Sequence, residues 1–72
     1  MSAPLSHNEL VLNRRLADLT ALSPGHAAGW VNTIDHLKAT PGLWTPETIA
    51  SVLGGLVETL IAVEDLREAG VL

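Results

Sequence analysis

Two dipeptides do most to limit what this chain can become: Ser23-Pro24 and Thr45-Pro46. In each, a hydroxyl residue that can accept a hydrogen bond from exposed backbone N–H groups precedes a proline. Proline fits the first turn of a helix, where its missing N–H is harmless, and is costly in the interior. Each dipeptide therefore opens one helix and bars another from running through it. The 72 residues fall into three segments, each with room for a single helix.

The first segment predicts a helix over residues 6–22. Ser6 and Glu9 have the spacing of a capping box, and Leu5 and Leu10 fit the hydrophobic staple around it. Leu12, Leu16 and Leu19 recur at helical spacing with Val11 and Leu22 beside them, which defines a core face. Leu10 projects from nearly the opposite side, either stapled to Leu5 or exposed. The second helix, 24–39, follows with only Ser23 between, so the chain must turn a tight corner, which suggests a crossing well away from antiparallel. Its apolar stripe is Ala27, Trp30, Val31, Ile34 and Leu37, with Gly29, Asn32 and His36 on the far side. Pro41-Gly42 then favours a reversal, since proline presets one turn dihedral and glycine accepts positive φ.

The third helix, 46–69, is the longest. At 1.5 Å per residue it would span about 36 Å. Trp44 is placed to staple onto Ile49, and Gly70 suits a left-handed C-cap with Val71 folding back on Leu66. Around this helix an apolar arc (Ile49, Val52, Leu53, Leu56, Val57, Leu60, Ile61 and Val63) takes nearly half the circumference. Beside it runs a line of small residues, Ser51, Gly55, Thr59 and Ala62, flanked by Thr48 and Leu66. The acids Glu47, Glu58, Asp65 and Glu68 occupy the remaining strip. Gly54 and Gly55 stand together in the interior, each costing about 1 kcal/mol of helix stability relative to alanine. Gly55 belongs to the small-residue line, which lets another helix approach closely, from this chain or from a partner. Gly54, on the acidic side, has no such account, and either permits a bend or is simply tolerated.

These readings give an all-α fold: one compact three-helix domain with a tight corner between its first two helices and a long C-terminal helix, oligomeric or docked on a partner. A domain this short buries only about 60% of its unfolded surface, and such domains often gain stability by association. The composition leans the same way, 47% hydrophobic against 17% charged. No basic segment followed by an apolar core marks a signal peptide, and the longest apolar stretch falls short of a membrane span, which predicts a soluble, cytoplasmic protein. Arginine outnumbers lysine, and alanine, leucine and glycine abound, the flavour of GC-rich bacteria or their phages; in the latter case the protein would be part of a virion.

The net charge of -4 lies wholly in residues 46–72, because Glu9, Asp18 and Asp35 cancel Arg14, Arg15 and Lys38, leaving five acids against Arg67. With four basic residues in all, direct nucleic-acid binding is not expected. The chain lacks Cys, and His7, His26 and His36 show no metal-ligand spacing, so no metal or cofactor is expected. It carries neither a nucleophile elbow nor a phosphate-cradling loop, which argues against an enzyme. The leading expectation is a non-catalytic assembly or adaptor subunit that self-associates or docks on another protein through Leu43, Trp44, Ser51, Gly55, Thr59, Ala62 and Leu66. The alternative is an acidic inhibitor that binds a host enzyme or nucleic-acid-binding protein through Glu47, Glu58, Asp65 and Glu68. A more distant one is a small-ligand module at an oligomer interface.

Overall fold

The computed structural model describes residues 7–71, which form three helices and no strand: α1 (His7–Leu22), α2 (Pro24–Ala39) and α3 (Pro46–Glu68). Ser6 and Leu5, half of the expected capping box and staple, lie outside the described residues.

Ser23 alone joins α1 to α2, and its backbone serves both. Its N–H donates to the Leu19 carbonyl at 2.7 Å while its own carbonyl accepts from Ala27 N–H at 3.0 Å. The side chain departs from the sequence expectation, since Ser23 occupies the cap position in an extended conformation but its hydroxyl caps no backbone N–H. Ser23 Oγ lies instead 2.7 Å from Nδ1 of His26, a closer partner one turn into the helix. At α3 the same device works as expected: Thr45 Oγ1 accepts from Thr48 N–H at 3.2 Å, with Pro46 in the first turn.

Between α2 and α3, Leu43 N–H donates to Thr40 O across Pro41-Gly42, and Gly42 has φ +80°. This is the geometry of a type II turn, with proline at its second position and glycine at the third. α3 ends one residue earlier than expected, with Ala69 as its C-cap. Gly70, at φ +78°, lets its N–H reach Arg67 O and the Val71 N–H reach Leu66 O at 2.9 Å. Those two bonds are the Schellman pair. Val71 itself remains 68% exposed.

Contrary to the crossing expected at the Ser23 corner, the chain runs out along α1, back along α2 and out again along α3, because the single extended residue Ser23 suffices to reverse it. Residues from the starts of α1 and α3 line one groove, Lys38 near the end of α2 sits over Trp44, and mid-helix Trp30 meets mid-helix Thr59. α1 packs along α3 and against α2, whereas the backbones of α2 and α3 approach each other at few points. Leu12 and Leu19 of α1, Ala27 and Ile34 of α2, and Val52, Leu56, Leu60 and Val63 of α3 form the buried core, with Leu16, Leu22, Trp30, Leu37, Trp44 and Leu53 packed against it. Leu10 lies outside it, 54% exposed. No polar or charged residue among the described residues is fully buried, so the centre of the core is packed by apolar contact.

Candidate interaction surface

Trp30 reaches across the gap between α2 and α3. Trp30 projects from α2 onto Gly55, and a Cβ built at Gly55 would lie 2.7 Å from the ring carbon Cη2. That is closer than real Cβ contacts come, so only glycine admits the ring at this depth. The indole Nε1–H donates to Thr59 Oγ1 at 3.1 Å, and the Thr59 hydroxyl donates in turn to Gly55 O at 2.9 Å. Glycine provides the space and threonine one turn later satisfies the indole. The tryptophan thus acts as a spacer, which explains why the two helix backbones stay apart where their side chains meet.

The small-residue line is therefore used in its middle by the chain itself. Gly55 and Thr59 lie half-buried beside Trp30, while Ser51 and Ala62, at the two ends, are exposed. Leu66, 39% exposed, lies in the last turns of α3. Leu43 is 41% exposed in the turn, but its neighbour Trp44 packs against the core with Lys38 Nζ 5.3 Å from its ring centroid. Trp44 and Ile49 also share the wall of a groove of about 410 Å³ with His7, Asn8 and Pro46. A shallower depression of about 240 Å³ lies over Trp30, His26, Gly29 and Thr33. No three metal-ligating groups converge among the described residues. Glu47, Glu58, Asp65 and Glu68 are all exposed.

The apolar arc of α3 is split by the packing. Ile49, Val52, Leu56, Leu60 and Val63 are buried. Of the rest, Leu53 packs against the core, Val57 is half-buried and Ile61 is 55% exposed, and the last two border Ala50 and Gly54, which lie outside the arc and are exposed. Ala50, Gly54, Val57 and Ile61 recur at intervals of 4, 3 and 4 residues and so make one continuous edge along the outside of the helix. A Cβ at Gly54 would meet nothing within 4 Å. Unlike Gly55, this glycine has no side chain from another helix over it among the described residues. Assigning the edge from sequence required knowing which half of the arc α1 and α2 would cover, and periodicity alone does not carry that information.

No protein-family model, curated protein or solved structure matches the chain. No helix among the described residues is long and apolar enough to cross a membrane.

Proposed function

We propose that the protein is a non-catalytic helical interaction subunit that docks a protein partner along the outer edge of α3, Ala50–Gly54–Val57–Ile61. The observation that supports this reading is Gly54. A glycine in a helix interior costs about 1 kcal/mol, and here no side chain among the described residues comes within 4 Å of the space it leaves. Two turns further along the same line, Ile61 is 55% exposed. An edge with an open notch and an apolar ridge suits the close approach of another helix.

Site-specific photocrosslinking tests this in the cells that make the protein. A crosslinking residue at Ala50 or Ile61 should give an adduct of defined mass, and one at the exposed His36, on the far side of α2, should give none. Adducts equally frequent from all three positions, or absent at Ala50 and Ile61, remove the proposal.

A further inference from the structure

We infer that the partner on this edge is an amphipathic helix whose apolar ridge is flanked by lysine or arginine, an inference that rests on the docking role proposed for α3. The argument joins two features that the sequence presents separately. At 100° per residue, Glu47, Glu58 and Asp65 lie about 40–60° around the helix from Ala50, Gly54 and Ile61, forming a row along one border of the edge. All three are exposed. Glu64 stands on the opposite border and Glu68 continues the edge beyond Ile61, both exposed as well. The apolar strip and the acids are therefore parts of one surface. Between Ala50 and Ile61 its centre is uncharged, one border carries a row of three acids, and the other carries Glu64 alone.

Helix-in-groove recognition sets an apolar ridge against such a centre, and the flanking residues of the ridge then face the borders. Acidic flanks would meet like charge along the Glu47–Glu58–Asp65 border and again at Glu64, while basic flanks meet opposite charge there. The same reasoning disfavours a second copy of α3, which would bring its own Glu47, Glu58, Glu64 and Asp65 against these. Closest approach falls at Gly54, where the notch is open, with Val57 and Ile61 supplying the larger contacts.

Two synthetic helical peptides with the same leucine ridge, one with lysine flanks and one with glutamate flanks, distinguish the outcomes when titrated against the full chain by fluorescence anisotropy. The basic peptide should bind at least about tenfold more tightly, less so at high ionic strength. Glu58→Lys combined with Asp65→Lys should abolish or reverse that preference. Gly54→Leu should weaken binding, and Asp35→Lys, an exposed acid on α2, should leave it unchanged. Equal affinity for the two peptides overturns the inference, and so does an equal effect of Asp35→Lys, which would show unspecific attraction. A crosslink from Ala50 or Ile61 to a second copy of the chain also overturns it while leaving the docking role intact; absence of any crosslink there removes the docking role itself.

Discussion

Gly54 and Gly55 are adjacent in the chain and opposite in their surroundings, and the difference can be measured by giving each the same methyl group. At Gly54 the added Cβ meets open space, so Gly54→Ala should stabilise the protein by about 1 kcal/mol through helix propensity alone. At Gly55 it falls 2.7 Å from the Trp30 ring, which is held by core packing and by its bond to Thr59. Overpacking of this kind costs typically 1–3 kcal/mol. Gly55→Ala should therefore unfold at lower denaturant concentration than Gly54→Ala, by a difference of about that size. Equal midpoints with equal denaturant dependence would show that the ring moves aside freely, and the spacer role of Trp30 would fall.

At the scale of the helix, the two hydroxyl–proline starts look alike in sequence and work differently. The Thr45 side chain accepts from the Thr48 N–H, whereas that of Ser23 is turned to His26. Thr45→Ala should cost about 1 kcal/mol, in the usual range for a lost N-cap, and Ser23→Ala distinctly less. Thermal unfolding of both variants checks the order, and a larger loss at Ser23 contradicts it. The comparison also shows what was legible in advance. Starts at Pro24 and Pro46, the Pro41-Gly42 reversal and the stop at Gly70 rest on interactions within a few residues, so the three helices follow from local signals. The partner of Gly55 does not, because Trp30 is 25 positions away and reaches it only once α2 has been laid against α3. Ser23 was misjudged for a local reason: an imidazole three residues on competes for its hydroxyl. Of the candidate surface, the acids were identifiable from the strip they form, while the free edge of the apolar arc became visible only when packing had hidden the rest.

At the scale of the whole molecule, a chain of this length has a folding free energy of roughly 4–11 kcal/mol, so no single helix can be lost without losing the others. α1 is the element that both other helices pack against, and the α2–α3 contact depends heavily on one ring. The single-residue corner at Ser23 then acquires a further meaning. Both of its backbone groups are committed, one to each helix. One residue inserted there would rotate α2 by about 100° about its axis and carry Ala27, Trp30 and Ile34 off the core face together. One residue inserted after Gly42, in the exposed turn, would only lengthen a loop, at a closure cost well under 1 kcal/mol. Circular dichroism should show the first variant unfolded or loosely packed and the second close to the parent in melting temperature. Length changes among descendants of this chain are accordingly expected to accumulate at the turn before α3 and to be purged at the corner after α1, which makes Ser23 the phase reference of the molecule.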